Sequence, residues 1–302
     1  MSSFEAFRSL AQQAIGQRIR GLTGSRATLA DFATPLGDPG LLGPNAMAWR
    51  VHEHFTAMMV GGLSSLMVQA LHPLALAAVW DHSDFRQDLK ARLGRTAFFV
   101  AATTYGSKSL ALQAIERVNG IHARITGCDA QGQPYAANDP QLLRWVHLVE
   151  VTSFLAAFNH LAVTPLTLAQ GDQYIAEMAQ IGHLLGATDL PTTLTVTQQA
   201  LLDFQPALRC DERTRDVLQR LETYPTDLHD RPFMALALQA AFDIMPAWAL
   251  ARIGRAPACT LQTQMTRRAL QVMTLPIEWA LAQQGVAATA RRRVQALDHR
   301  RW

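Results

Sequence analysis

FTAMMVGGLSSLMVQALHPLALAAVW, residues 55–80, carries no acidic or basic side chain apart from His72. A run of this length is long enough to cross a bilayer. Against a span stand the His72-Pro73 break and the polar Ser64, Ser65 and Gln69. A helix buried all round in a large core has the same composition, and that is the reading adopted here. Contact with a membrane surface is the alternative it leaves open. Gly61-Gly62 lies inside this apolar helix and cradles no phosphate, so close helix packing is its expected role.

Working outward, helical signals dominate and no stretch alternates at period two. One helical run is expected from about Ala46 to Leu71, ended at His72-Pro73 because the residue before a proline leaves the α region. Ser83-Asp84 is the expected N-cap of a helix through Arg92, Thr96 and Tyr105. Gly106-Ser107 separates it from Lys108–Thr126, and residues 127–140 read as a loop dense in turn formers. Asp139-Pro140 supplies a cap followed by proline at the first helical position of Gln141–Val163. Prolines at 165, 191, 206, 225, 232, 246, 257 and 276 are expected to cut the remainder into shorter helices. The fold class is therefore all-α, with residues 1–302 forming one domain.

The chain has 302 residues, 49% hydrophobic and 17% charged, which implies a sizeable interior. Its net charge of +3 makes no case for nucleic acid. Arg291, Arg292, Arg293, Arg300 and Arg301 cluster near the C-terminus and read as a solvated helix end and tail. Cys128, Cys210 and Cys259 form no CxxC or CxxCH, which disfavours zinc ribbons, redox dithiols and covalent haem, and suits a reducing compartment. The opening segment MSSFEAFRSLAQQAIGQRIRG reads as an amphipathic helix rather than a secretory signal, so a cytoplasmic location is expected.

No GxSxG, GxGxxG or P-loop is present. No glutamate has a histidine three residues on, which excludes the usual carboxylate-bridged di-iron bundle. In HEH, residues 52–54, the two histidines fall on nearly opposite faces of a helix, so they cannot chelate one ion there and one is expected to face solvent. A haem site asks for one histidine on a rigid helix with small or apolar neighbours, cations for the propionates and a greasy wall. His122 in RVNGIHARITG, residues 117–127, has such neighbours, although a histidine on an apolar helical face is more often a core residue. Arg92 and Thr96 of RLGRT, residues 92–96, share a helical face with Arg95 beside them. The blander reading is a solvated arginine pair with Thr96 bonded back to a carbonyl. AFFVAATTY, residues 97–105, supplies an apolar wall with Thr103 and Thr104 as candidate polar contacts.

Seven segments then follow in one order: GDPGLLGPNAMAWRVH (37–52), MVQALHP (67–73), DHSDF (81–85), RLGRT (92–96), RVNGIHARITG (117–127), DAQGQPYAANDPQLLRWVH (129–147) and SFLAAF (153–158). Together they resemble the MpaB-type oxygenase family, which includes the rubber-cleaving latex clearing proteins. The resemblance is best over residues 37–165 and extends more weakly to near Trp279. It implies a globin-like helical core holding one non-covalent haem b, with dioxygen as co-substrate and a hydrophobic, isoprenoid or lipid-like small molecule as substrate. His122 matches the proximal iron ligand. Arg92 and Thr96 match the arginine and threonine that flank the haem, and Arg95 and Thr96 are the candidate catalytic residues.

Two departures from the rubber-cleaving branch narrow the expectation. Where those members carry a lysine able to close over the iron, Arg95 stands here, and a guanidinium stays protonated and offers no lone pair. They also carry a glutamate upstream of the arginine, whereas this chain has none between Glu53 and Glu116. Rubber is therefore not the expected substrate. The missing glutamate feeds a second reading, a haem-binding carrier or sensor without turnover. A third is a helical lipid-binding protein with no haem, in which His122 is plain core. His52, His72 and His147 are expected to be structural, bonding buried backbone at helix ends and bends.

Overall fold

The computed structural model describes residue 12 and residues 28–296. The expected N-terminal helix, like Arg300 and Arg301, lies outside the described residues. The expected helical run from Ala46 to Leu71 is two helices, α1 (Met47–Glu53) and α2 (Phe55–Gln69). They break at His54, whose backbone is extended and whose ring accepts the Ala57 N–H at 3.3 Å. The histidine thus supplies the cap that a new helix needs.

Helix α2 is the centre of the molecule. It packs most extensively on α6 (Pro140–Leu161) and is also touched by α9 (Glu212–Glu222), α10 (Arg231–Asp243) and α12 (Thr260–Gln284). This explains why it is apolar on every side. A Cβ at Gly61 would stand 2.8 Å from Phe154 Cδ1 and 2.9 Å from Phe154 Cα, so the close approach of α2 to α6 requires glycine there. Gly62 is less constrained, with its nearest neighbour at 3.9 Å. Among the described residues no single helix is long and apolar enough to cross a membrane; α2 and the following α3 (Pro73–His82) pass that test only together, and they bend by 106°. Pro73 ends one helix by opening the next.

Two caps differ from expectation. Ser83 accepts the Phe85 N–H and starts only a 3-10 turn, Asp84–Arg86, while Asp88 accepts the Ala91 N–H and caps α4 (Leu89–Tyr105). Ser107 caps α5 (Lys108–His122) as its position suggests. The expected loop after α5 holds a small antiparallel hairpin, β1 (Thr126–Cys128) with β2 (Pro134–Ala136). Strands of three residues are too short to show a period-two pattern. The hairpin docks on α3 through Tyr135, whose hydroxyl donates to Asp81 at 2.8 Å. Asp139 then caps α6 with Pro140 in its first turn, as read from sequence.

The C-terminal half comprises α7 (Leu168–Leu184), α8 (Leu194–Asp203), α9, α10, α11 (Ala247–Arg252), α12 and α13 (Val286–Gln295). Pro276 does not end a helix as expected but lies inside the 25-residue α12, on its exposed side. Of the arginine cluster read as a solvated end, Arg292 is exposed as expected and Arg293 is not. Arg293 is 1% exposed and donates to the carbonyls of Phe32 (3.1 Å), Asp38 (3.0 Å) and Gly106 (3.2 Å), clamping α13 to the segment before α1 and to the end of α4. Gly40 serves the same junction: it has φ +79°, and a Cβ there would lie 2.6 Å from the Gly106 carbonyl. Arg291 pairs with Glu53 of α1, and Arg292 donates to Gln283 O and Thr289 Oγ1.

Candidate functional site

Helix α5 packs along α4, which brings the end of one beside the start of the other. His122 is the last residue of α5, because the chain turns there: the Ile125 N–H reaches the His122 carbonyl at 3.1 Å on the way into β1. Its Nδ1 is buried without a hydrogen-bond partner. Burial, and then the nearby Arg92 cation, push its pKa below the usual imidazole range, so the ring is neutral at physiological pH. Asn119, one turn earlier, donates to the Leu184 carbonyl at 2.9 Å, and its Oδ1 is buried without a partner as well.

On α4, Arg92 Nη1 donates to Thr96 Oγ1 at 2.9 Å, and that hydroxyl donates back to the Arg92 carbonyl at 3.3 Å. The expected back-bond is therefore present, but the arginine is not solvated. Burial and the neighbouring Arg95 lower its pKa, opposed by Glu150. Arg95 itself is exposed, so the structure brings together Arg92, Thr96 and His122 and leaves Arg95 at the surface. Thr103 is committed to the carbonyls of Phe99 and Val100, and Thr104 to His52, which removes both from the expected polar lining.

Glu150 on α6 is the residue that motif reading missed. Burial pushes its carboxyl up to about 7, with only Arg92 opposing. The visible signal was a lone carboxylate between Val149 and Val151 on a long apolar helix; in sequence it had served only to exclude a di-iron pattern. Arg92, Thr96, His122 and Glu150 each keep some accessible surface, yet burial leads the shifts of the three that titrate. Arg92 acts electrostatically on both His122 and Glu150 and bonds Thr96, so the four form one partly buried polar cluster.

The other histidines are accounted for differently from expectation. His52 is fully enclosed and satisfied by side chains rather than backbone, with Nδ1 2.7 Å from Thr104 Oγ1 and Nε2 3.1 Å from Tyr174 Oη. Burial pushes its pKa down to about 3. His54 does not face solvent either: it caps α2 and lies 3.3 Å from Glu278, whose carboxyl burial raises to about 7. His72 packs against Trp145 and Phe204, its Nδ1 buried without a partner. His147 is held close to α7, where a Cβ at Gly182 would come within 2.9 Å of its Nδ1.

Among the described residues no three His, Cys, Asp or Glu side chains are grouped to hold a metal ion. A cavity of about 290 Å³ beside Phe242, Asp243, Arg255 and Cys259, and one of about 360 Å³ that shares Phe242 and Arg255, are lined by none of the residues above. No curated protein and no solved structure matches the chain. Residues 49–279, which hold most of α1 to most of α12 and Arg92, Thr96, His122 and Glu150, match the family described as ER-bound oxygenase mpaB/B'/rubber oxygenase, catalytic domain. With about three quarters of its length inside that match, the chain belongs to this oxygenase family.

Proposed function

We propose that the chain is a haem b-dependent oxygenase that uses dioxygen to attack a hydrophobic isoprenoid or lipid-like small molecule, cleaving a carbon–carbon double bond. The observation that carries this reading is His122: a neutral imidazole with a buried, unpartnered Nδ1, beside a buried arginine, in a chain of an oxygenase family. His72 Nδ1 and His160 Nε2 are buried without a partner as well, and what distinguishes His122 is the Arg92 cation beside it and its place in the motif series. An iron porphyrin asks the protein for a single axial imidazole, so the lack of a multi-residue ligand cluster is no obstacle. The residues present fit the group.

Haem, when bound, supplies the redox chemistry of dioxygen. His122 would hold the iron, its neutrality preserving the lone pair that ligation needs. Arg92, fixed along α4 by Thr96, would pair with a propionate and so place its own buried charge against an opposite one. Thr96 would contribute its hydroxyl as the group that orients that guanidinium. Phe98 and Phe99 follow Thr96 on the same helix and supply hydrocarbon that excludes water and favours an apolar substrate. Arg95, being exposed, is assigned the smallest part of the candidate catalytic set.

The test is an absorption spectrum of protein expressed with a haem precursor, oxidised and then dithionite-reduced. The reading expects a Soret band that disappears in His122→Ala and survives in His147→Ala. It also expects dioxygen consumption with carbonyl products when a linear isoprenoid alkene is supplied. A colourless protein removes haem altogether; loss in His147→Ala alone moves the ligand; reversible dioxygen binding without product replaces the oxygenase by a carrier or sensor.

A further inference from the structure

We propose that His54 and Glu278 form a proton-operated latch, which ties the start of α2 to α12 while a proton lies between them. One nitrogen faces two partners. His54 Nδ1 accepts the Ala57 N–H at 3.3 Å, and Glu278 Oε1 stands 3.3 Å from the same atom. An imidazole nitrogen has one in-plane position, filled by a lone pair or by a hydrogen. With the lone pair it serves Ala57, and an ionised carboxylate then faces it as a second acceptor. In the structure the ring serves Ala57, and Glu278 Oε1 is buried with no hydrogen-bond partner. One proton resolves the conflict: carried on Oε1 it is donated to Nδ1, and carried on Nδ1 it is donated to Oε1.

The surroundings decide when that proton is present. Burial raises the Glu278 carboxyl to about 7, Glu53 adds like charge, and the Phe55 N–H opposes both. Burial lowers the His54 ring below its usual range, so at neutral pH the exchangeable proton belongs to Glu278. The Glu278 side chain is 35% exposed, which lets the carboxyl exchange protons with solvent although Oε1 is enclosed. The other charged groups described at this junction are already engaged. Arg291 of α13 is taken up by a bidentate pair with Glu53 of α1. The Tyr105 hydroxyl of α4 donates to the Trp49 carbonyl at 3.0 Å, and burial keeps it neutral. Arg50 of α1 donates to the Thr164 carbonyl and lies over Phe158 of α6, whose ring meets His54 edge-on. His160 of α6 and Asp243 of α10 lie with Arg267, about three turns earlier on α12.

Below pH 7 the protonated carboxyl donates to the ring and the two helices are tied. As pH rises through 7, Glu278 ionises beside Glu53 and beside the Nδ1 lone pair, and both repel it. Because the folded carboxyl lies above its ordinary 4.5, the stabilisation is complete below 4.5 and is lost as pH rises through about 7. The loss falls at a joint. His54 is the break between α1 and α2, and α2 is the helix on which α6, α9, α10 and α12 pack. Thr274 Oγ1, one turn before Glu278, lies 2.7 Å from Thr56 Oγ1, so release of the latch strains that contact as well. The inference is independent of what the cluster on α4, α5 and α6 binds.

The test is amide hydrogen exchange of the full chain at pH 6 and pH 8, corrected for the intrinsic pH dependence of exchange. Protection of residues 55–60 and 272–282 is expected to fall about tenfold at pH 8, with the rest of the chain changed far less. Glu278→Gln carries a fixed N–H donor in place of the protonated oxygen, so both segments are expected to stay protected at pH 8. Glu53→Gln removes the like charge and is expected to move the transition to lower pH. His54→Ala is expected to lower protection of both segments already at pH 6. Equal protection at both pH values in the natural chain overturns the latch. So does an unchanged transition in Glu278→Gln, or a fall spread evenly over the chain. Glu150, the other carboxyl raised to about 7, is separated by Glu150→Gln, in which the transition is expected to persist and its loss overturns the assignment. If His54→Ala does not fold, Glu278→Gln against the natural chain decides alone.

Discussion

Arg293 and Arg92 are both arginines that folding has stripped of most of their water, and they have been treated in opposite ways. Arg293 donates to three backbone carbonyls, two in the segment before α1 and one at the end of α4. Among the described residues Arg92 bonds Thr96, one turn along its own helix, with Arg95 adding like charge and Glu150 the opposing one. The histidines repeat the contrast. His52 has a side-chain partner on each ring nitrogen, while His122 leaves its buried Nδ1 with none. Buried polar groups are normally satisfied, and Arg293 and His52 follow that rule. In the cluster on α4, α5 and α6, His122 Nδ1 and Asn119 Oδ1 are buried without a partner, as are Trp49 Nε1 and His72 Nδ1 elsewhere in the core.

The largest effect expected from breaking this contrast is at the clamp. Arg293→Ala leaves three carbonyls without a charged donor and is expected to cost about 4 kcal/mol or more, read as a lower urea midpoint, with Arg293→Lys recovering only part. At Glu150 the sign reverses. The carboxyl of Glu150 is raised to about 7, so its contribution to stability is complete below about 4.5 and is lost as pH rises through 7. Glu150→Gln is therefore expected to stabilise the chain by about 2–3 kcal/mol at pH 8 and to change little at pH 4.5. A stabilising substitution at a buried charge is a mark of a functional position.

His52 behaves in the other direction again. Its pKa is depressed to about 3, so the stability it confers is present above 6.5 and is lost as pH falls. Acidification from pH 7 to 5 is expected to cost about 2 kcal/mol through this one ring, and His52→Gln should flatten that part of the pH profile. If the flattening came from His122→Gln instead, the division between satisfied and reserved groups would be misplaced. The smallest effect is at Arg95: exposed, its replacement by alanine is expected to change stability by less than about 0.5 kcal/mol.

Legibility followed the range of the interaction. Caps at Ser107 and Asp139 were readable because a cap is made by neighbours in sequence, and Gly61 was readable because two glycines in an apolar helix have few other uses. The break at His54 was not, because the ring serves as a cap only once α2 has its own direction. Pro276 failed as a stop signal because its missing N–H falls on the outer side of a helix held by its inner face. For the candidate site, the ordered series of motifs named Arg92, Thr96 and His122, which the fold brings near one another. Glu150 was not, since nothing near it in sequence distinguishes a carboxylate bound for solvent from one bound for the interior.

Taken alone, the amino-acid order determined the helical class, the family, and an imidazole and an arginine worth watching, because periodicity, turn chemistry and motif order are properties of neighbours along the chain. Only the tertiary structure decided which polar groups are satisfied and which are held back. It set Arg293 against three carbonyls and Glu150 near Arg92, and left His122 without a partner for Nδ1, because desolvation and hydrogen bonding depend on what surrounds a side chain in space.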